Sequence, residues 1–150
     1  SVHSGSDKFS VFPYVGKECR GKFHLKTSGT SWVEALRVVA MCEPNLFRRM
    51  LKYSCIHFEE AQKSYHVTAQ VENVPDIDKL SDQELPALMD LKDTRQVMHI
   101  TYGFLLQSRG ETGAYLFRDE LYEALDKNEA LLQTVVSAHI RKHLHYLGLC

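Results

Sequence analysis

Long apolar runs, an apolar N-terminus and paired cysteines are missing from this sequence, and each absence removes a class of protein. No uninterrupted apolar stretch approaches the roughly 20 residues that span a bilayer, so we expect no membrane partner. Residues 1–10 are polar and lack the apolar core of a signal peptide. The four cysteines form no C-x-x-C pair, which favours reduced thiols in a cytoplasmic protein over a disulfide framework.

A strong charge of either sign is also missing. The net charge is -1, and Lys and Arg are interspersed with Asp and Glu. A surface that binds nucleic acid needs a clustered basic face, so we expect no nucleic-acid partner. No P-loop, G-x-G-x-x-G or Ser-His-Asp order is present, and phosphoryl transfer and dinucleotide binding therefore gain no support.

What is present is an ordinary globular composition with alternating strand and helix signals. With 44% hydrophobic and 25% charged residues in 150, the chain predicts one ordered domain over residues 1–150.

Strands are predicted at the N-terminus and over 22–26 and 96–103, whereas 65–71 reads as a strand or an extended connection. Helices are predicted after a capping box of Ser31 and Glu34, from Pro44 to about Lys63, and over 115–126 and 128–147. A second capping box is predicted at Ser81 and Glu84, with Pro86 keeping its helix short. Alternation of this kind predicts βα units around a parallel sheet.

Three segments share one pattern, in which a histidine near the end of a predicted strand is followed by a loop of hydroxylated residues and glycine. The histidines are His3, His24 and His99. The C-terminal ends of parallel strands meet on one face, so we expect these imidazoles to converge. They would suit a divalent ion such as zinc, manganese, nickel or cobalt, which would act as a Lewis acid on a carbonyl. The alternative is that each is a hydrogen-bonded strand histidine.

The loops beside these histidines carry further candidates for catalysis and binding. Asp7 is a candidate general base, and Lys26 is a candidate for binding a carboxylate or donating a proton. Lys8 is either a substrate ligand or a solvated loop charge. Ser28, Gly29 and Thr30 precede a predicted helix N-terminus, where N–H groups bind an anion or simply cap the helix.

His139 and His143 are spaced i, i+4 on a predicted helix. This spacing fits a metal, but the Glu of H-E-x-x-H is missing and the neighbouring residues are apolar. We therefore expect these two histidines to serve packing or to face solvent.

Several of these runs together resemble the tagaturonate epimerase family, and the similarity covers essentially the whole chain. The resemblance is carried by His3-Ser4-Gly5-Ser6-Asp7-Lys8-Phe9-Ser10, Phe23-His24-Leu25-Lys26-Thr27-Ser28-Gly29-Thr30-Ser31-Trp32, Glu43-Pro44, Leu46-Phe47-Arg48, Ser64-Tyr65-His66, Leu80-Ser81-Asp82, Arg95-Gln96-Val97-Met98-His99-Ile100-Thr101-Tyr102-Gly103 and His139-Ile140 with His143-Leu144.

The resemblance implies a metal-dependent, barrel-type enzyme that interconverts tagaturonate and fructuronate, two sugar acids of hexuronate catabolism. Family members are considerably longer, and the chain starts at Ser1 without Met. We therefore expect a fragment or processed chain that forms the C-terminal part of a (β/α)₈ barrel, with terminal helices.

The implied reaction limits the mechanism, because the inverted carbon lies β to the ketone and its hydrogen is not acidic. Two routes remain, transient oxidation by a nicotinamide and retro-aldol cleavage followed by re-addition. The missing dinucleotide motif favours the retro-aldol route. A non-catalytic sugar-binding or scaffold domain that uses the same loops is the alternative to an enzyme.

Overall fold

The computed structural model describes residues 1–3 and 9–149, and of His3 only the main chain. Its regular structure is almost entirely helical. Seven α-helices and two short strands lie within these residues: β1 (Val2–His3), α1 (Phe12–Cys19), β2 (Leu25–Lys26), α2 (Ser28–Cys42), α3 (Pro44–Gln62), α4 (Lys92–Ile100), α5 (Tyr102–Gln107), α6 (Arg118–Lys127) and α7 (Glu129–Tyr146). Between α3 and α4 lie three 3₁₀ segments, Val71–Asn73, Ile77–Lys79 and Asp82–Asp90.

The predicted α/β architecture, a partial (β/α)₈ or TIM-like barrel, is wrong for this chain. The one sheet among the described residues has two strands of two residues each, which pair in parallel with Val2 opposite Leu25 and His3 opposite Lys26. The predicted strand over 96–103 is instead the end of α4 and the start of α5. Residues 65–70 carry no regular structure, so they are the extended connection that the sequence also allowed.

Helix α4 shows why the strand prediction failed. Its fully buried residues are Thr94, Val97 and Met98, followed by Thr101 just beyond its end. These positions are spaced i, i+3, i+4 and i+7, which places them on one face of a helix. Valine and isoleucine suggested a strand, but packing of this face against α2 and α3 determined the outcome.

Helix α2 is the centre of the fold. It packs against α3, α4, α6, α7 and the third 3₁₀ segment, and Leu36, Val38 and Val39 are fully buried on it. Helix α2 is therefore largely buried. The predicted capping box of Ser31 and Glu34 is wrong, because the helix already begins at Ser28. Pro44 does start α3, as predicted.

Arginines from α2 and α3 hold the 3₁₀ region in place by binding its main-chain carbonyls. Arg37 donates to the carbonyls of Pro86 and Met89, and Arg48 donates to those of Ile77 and Leu80. Carbonyls outside regular helices need partners when they are buried, and the guanidinium group supplies several donors at once. The Ser81 and Glu84 capping box is confirmed at the start of the third segment, where the Glu84 carboxylate accepts from the Ser81 N–H at 2.8 Å.

A buried acidic residue, Glu34, joins three helices. Glu34 is 3% exposed and accepts hydrogen bonds from Arg37 Nε at 2.9 Å and from Arg95 on α4 at 2.7 Å. His139 Nδ1 of α7 lies 3.4 Å from its Oε1. A buried carboxylate is costly unless it is paired, so this cluster fixes the register of α4 and α7 on α2.

His143 serves packing, one of the two roles that the sequence predicted for it, whereas His139 lies beside Glu34. His143 is fully buried, its Nδ1 lies 2.9 Å from the His139 carbonyl oxygen, and its ring packs 5.3 Å from that of Phe12. This contact brings α1 onto α7. No helix in the described part of the chain is long and apolar enough to cross a membrane.

Candidate functional site

A cavity of about 410 Å³ lies where the β2 strand runs into α2. Five stretches of chain meet there: the end of β2, the first turns of α2, the 64–70 connection, the end of α4 and the start of α5. Its lining residues are Lys26, Ser28, Gly29, Trp32, Tyr65, His99 and Tyr102. A site built from such distant stretches is a product of the fold and not of one local motif.

Gly29 lets the His99 ring pack directly on the start of α2. A Cβ atom at position 29 would lie only 2.4 Å from His99 Nε2, closer than real Cβ contacts allow. Glycine is therefore needed here for close approach, a use that its missing side chain permits. The contact fixes the imidazole at the edge of the cavity.

Trp32 ties the two helices that carry Gly29 and His99. Its indole Nε1 donates to the carbonyl of Met98 at 3.1 Å, joining α2 to α4. A half-buried indole needs such a partner for its N–H, and the bond fixes the ring plane. Trp32 thus forms a rigid apolar part of the cavity wall.

Tyr65 and Tyr102 line the same cavity. Hydrogen bonding to Tyr102, with a further contribution from burial, raises the pKa of Tyr65 above its usual value. The Tyr65 phenol therefore stays protonated at neutral pH. Ala69 is 4% exposed and anchors the connection that carries Tyr65 on the core.

The charged groups that line the cavity favour an anionic, hydroxyl-rich ligand. Among the described residues that line it, Lys26 carries a positive charge and none carries a carboxylate. The first N–H groups of α2, a helix of 15 residues, lie at the same side and add a partial positive charge. Ser28, Tyr65 and Tyr102 provide hydroxyl groups.

Four of the predicted site residues, Lys26, Ser28, Gly29 and His99, come together in this cavity. Thr30 does not line it: its side chain is fully buried, and its Oγ1 donates to the Thr27 carbonyl at 2.8 Å. Asp7 and Lys8 lie outside the described residues, and their predicted roles stay predictions.

The predicted metal ligands are only partly brought together in the described part of the chain. His99 lines the cavity, from a helix and not from the strand end that the sequence predicted. His24 lies just before β2 with its Nδ1 3.1 Å from Ser1 Oγ, and the main chain of His3 pairs with Lys26. Residues 1–3 and 9–149 contain no group of three or more His, Cys, Asp or Glu side chains suited to an ion. The described residues therefore supply one cavity imidazole, and a complete metal site needs the side chain of His3 or further ligands.

Sequence reasoning missed Trp32, Tyr65 and Tyr102 as cavity residues. Tyr65 and Tyr102 stand in the family-like runs Ser64-Tyr65-His66 and Thr101-Tyr102-Gly103, but neither run predicts that the two rings meet. Aromatic residues next to glycine or serine in both runs were the one available signal.

Fold and cavity together define a helical domain with a polar cavity that is lined by one lysine, one histidine and several hydroxyl groups. A family model described as tagaturonate epimerase matches residues 1–147. A relative from Thermotoga maritima named tagaturonate/fructuronate epimerase is 41% identical over 147 residues, which is 98% of this chain and 29% of the relative. The chain belongs to the tagaturonate epimerase family.

Solved structures of a Cohnella laeviribosi fructuronate-tagaturonate epimerase, UxaE, have the same fold. A crystal structure of it complexed with two glycerols matches 100% of this chain and 31% of that chain, with 49% identity and a TM-score of 0.96. The native crystal structure matches 97% and 30%, with 50% identity and a TM-score of 0.93. The chain thus spans about 30% of the length of these relatives.

Proposed function

We propose that the protein carrying this chain is an epimerase that interconverts tagaturonate and fructuronate, and that the Lys26–His99 cavity holds part of the sugar acid. Membership of a family whose relatives are named as epimerases of these two acids supports the reaction. The proposed location of the substrate site rests on one observation. Four residues predicted from the sequence line the same cavity: Lys26, Ser28, Gly29 and His99.

Recognition of the acid begins with its carboxylate. Lys26 pairs with this group at the open end of the cavity, and the N-terminal N–H groups of α2 add donors for it. The hydroxyl groups of the sugar then meet Ser28 and the two tyrosines. Trp32 contacts the apolar C–H face of the sugar chain.

The chemistry is a retro-aldol cleavage followed by aldol addition. A base takes the proton from the hydroxyl group on the inverted carbon, and the bond from this carbon to its neighbour next to the ketone breaks. The electron pair moves into the ketone to give an enediolate, and the inverted carbon becomes an aldehyde. Rotation of the aldehyde and re-addition to its other face, with return of the proton, give the epimer without net oxidation.

Proton transfer needs a group that can hold a proton near neutral pH. His99 is the described cavity residue of that type, and Asp7 is the predicted general base. The absence of a Cβ at Gly29 leaves room for the His99 ring at this position, where a larger residue would displace it.

We further propose that a divalent metal ion, held by His99 with His3, His24 or other ligands, takes part as the sequence predicted. The donor set fits in part: His99 offers an imidazole at the cavity, His3 lies in β1, and His24 lies just before β2, whose Lys26 lines the cavity. When bound, the ion would supply Lewis acidity toward the oxygens of the sugar.

Isotope effects on the complete gene product test the reaction. Retro-aldol chemistry gives a primary ¹³C isotope effect at both carbons of the cleaved bond and no deuterium uptake at the inverted carbon in D₂O. A primary deuterium effect at the C–H of the inverted carbon would instead indicate oxidation by a nicotinamide. If the purified protein binds the acids without converting them, this result would favour a non-catalytic sugar-binding protein over an enzyme.

A further inference from the structure

A second cavity, of about 370 Å³, lies between α2, α4, α7 and the third 3₁₀ segment. Among the residues that the structure describes, it shares no lining residue with the Lys26–His99 cavity. Its volume falls within the range of about 300–1,000 Å³ that is usual for small-molecule sites. The permanently charged groups in its wall are four cations and one carboxylate: Arg37, Lys92, Arg95, Lys142 and Asp90.

Both arginines of this basic cavity are already paired with carboxylates. Arg37 binds Asp90 through two nitrogens, at 2.7 and 3.2 Å, and Arg95 binds the buried Glu34 at 2.7 Å. Hydrogen bonding to Arg37, with the charge of Lys142 adding to it, holds the pKa of Asp90 below its usual value. Asp90 therefore stays ionised and paired, and the excess positive charge of the cavity belongs to its lysines.

Lys92 and Lys142 supply this charge without a carboxylate of their own. Neither lysine forms an ion pair with another residue in the described part of the chain. Lys142 Nζ lies 4.4 Å from the centre of the Phe9 ring, a contact with the ring face that leaves N–H donors for another acceptor. Lys92 is the first residue of α4, where the helix dipole makes a positive charge unfavourable. An anion bound in the cavity would compensate both charges.

Gln96 gives an independent indication of a ligand in the same cavity. Its Oε1 is buried and has no hydrogen-bond partner among the described residues. A buried acceptor without a donor is unfavourable, and a ligand that carries a hydroxyl group would satisfy it. Hydrogen phosphate offers negative oxygens to the lysines and a hydroxyl proton to Gln96, whereas sulfate has no proton at neutral pH.

We propose that the basic cavity is a second binding site, which takes hydrogen phosphate. Lys92 and Lys142 bind its charged oxygens, and Gln96 Oε1 accepts its proton. The bound anion then bridges α4 and α7, and α4 also carries His99. This site does not depend on the proposed epimerase reaction, because neither its occupant nor its test involves turnover of the sugar acid.

Calorimetric titration of the complete gene product with inorganic phosphate, at constant ionic strength, tests the site. The wild type should bind phosphate with a Kd of about 1 mM or lower. Combining Lys92→Met with Lys142→Met should weaken binding at least about tenfold, because two charge-assisted hydrogen bonds are lost. Combining Lys22→Met with Lys63→Met removes the same charge from exposed positions outside the cavity, and this matched control should bind like wild type.

Sulfate tests the role of Gln96. The wild type should bind sulfate about tenfold more weakly than phosphate, because sulfate leaves the Gln96 acceptor without a donor. Gln96→Met keeps the length of the side chain, removes the acceptor and should abolish this preference. Equal binding of the two anions by the wild type would overturn the assignment of hydrogen phosphate.

Thermal unfolding gives a second measurement that also shows whether each variant folds. Phosphate should raise the melting temperature of the wild type but not that of the variant without Lys92 and Lys142. No phosphate binding by the wild type would overturn the site. An equal loss of affinity in both double-lysine variants would also overturn it, since it would show an adventitious ion only. Displacement of bound phosphate by fructuronate would make the cavity part of the sugar-acid site and would overturn the inference without touching the proposed function.

Discussion

At the scale of single residues, the contact between Gly29 and His99 is the most constrained point of the site. Gly29→Ala places a Cβ 2.4 Å from His99 Nε2, so the ring must rotate away. A side-chain end can move, and we expect the unfolding free energy to change by less than about 1 kcal/mol. Activity should fall at least tenfold, because a displacement of about 1 Å in a catalytic group has large effects on rate.

A second variant connects this loss to His99. If Gly29→Ala acts by displacing the ring, combining it with His99→Ala should give no more loss of kcat than His99→Ala alone. Steady-state kinetics on the four proteins decide this. Additive losses would mean that Gly29 has another role, such as leaving room for the ligand.

Lys26 is the residue that we expect to recognise the carboxylate. Lys26→Met keeps the aliphatic length but removes the charge, and KM should rise about tenfold or more with kcat nearly unchanged. Lys22→Met, at an exposed position just before β2, is the matched control and should change neither constant. A fall in kcat with constant KM would contradict carboxylate binding and would point to proton transfer by Lys26.

At the scale of elements, the charged centre around Glu34 holds α2, α4 and α7 together. Glu34→Ala removes the carboxylate that Arg37 and Arg95 share. Both arginine side chains are largely buried, at 16% and 15% exposure. Removing one partner of a buried ion pair costs about 3 kcal/mol. Urea unfolding should show this loss, with Glu34→Gln less affected because the amide oxygen still accepts.

The control for this effect is Glu59→Ala on the exposed side of α3, which should lie within about 0.5 kcal/mol of wild type. Equal stability of Glu34→Ala and Glu59→Ala would mean that the arginines find other acceptors, such as Asp90, at no cost.

Helix α1 meets the end of α7 through a glycine. A Cβ at Gly16 would lie 2.1 Å from the carbonyl oxygen of Leu147, which is main chain and cannot rotate away. Gly16→Ala should therefore destabilise the protein by about 1–3 kcal/mol by separating α1 from α7. Gly103→Ala on α5 has open space around its Cβ and should be neutral or slightly stabilising.

The elements also explain what could be predicted from the sequence. Pro44 at the start of α3 and the Ser81–Glu84 capping box are local signals, and both predictions were correct. The predicted strand over 96–103 was wrong: its valine and isoleucine content is typical of a strand, but the buried residues follow the i, i+3, i+4 spacing of a helix from Thr94. Tertiary contacts with α2 and α3 determined this region, and no local pattern contains them.

The site shows the same division between local and tertiary information. Lys26, Ser28 and Gly29 were predicted together because they are neighbours in sequence. They line one cavity even though the predicted barrel was wrong. His99 reaches the cavity from a helix, so its prediction rested on the wrong secondary structure. Tyr65 and Tyr102 meet only because the 64–70 connection packs back on α4 through Ala69, which sequence spacing cannot reveal.

At the scale of the whole molecule, one helix organises both stability and the proposed function. The N-terminal turns of α2 form the floor of the cavity, and its middle carries Glu34 and Arg37. Through Arg95, the Glu34 cluster reaches α4, the helix that also bears His99. We therefore expect a change in the charged centre to alter the position of α4 and, with it, that of His99.

Metal content is the whole-molecule property that tests the predicted ligands. We expect the complete gene product to contain a stoichiometric divalent ion and to lose activity on chelation, with recovery on addition of zinc, manganese, nickel or cobalt. His24→Ala and His99→Ala should each lower metal content, while His66→Ala, exposed and outside the cavity lining, should not. Elemental analysis beside thermal unfolding separates lost metal from lost fold. Full metal content in all the histidine variants would place the ion elsewhere, and unchanged activity after chelation would remove the metal from the reaction.

The variant Asp7→Asn distinguishes two roles of Asp7. Reduced kcat with normal metal content would support a general base. Reduced metal content would instead support a metal ligand or a residue hydrogen-bonded to one.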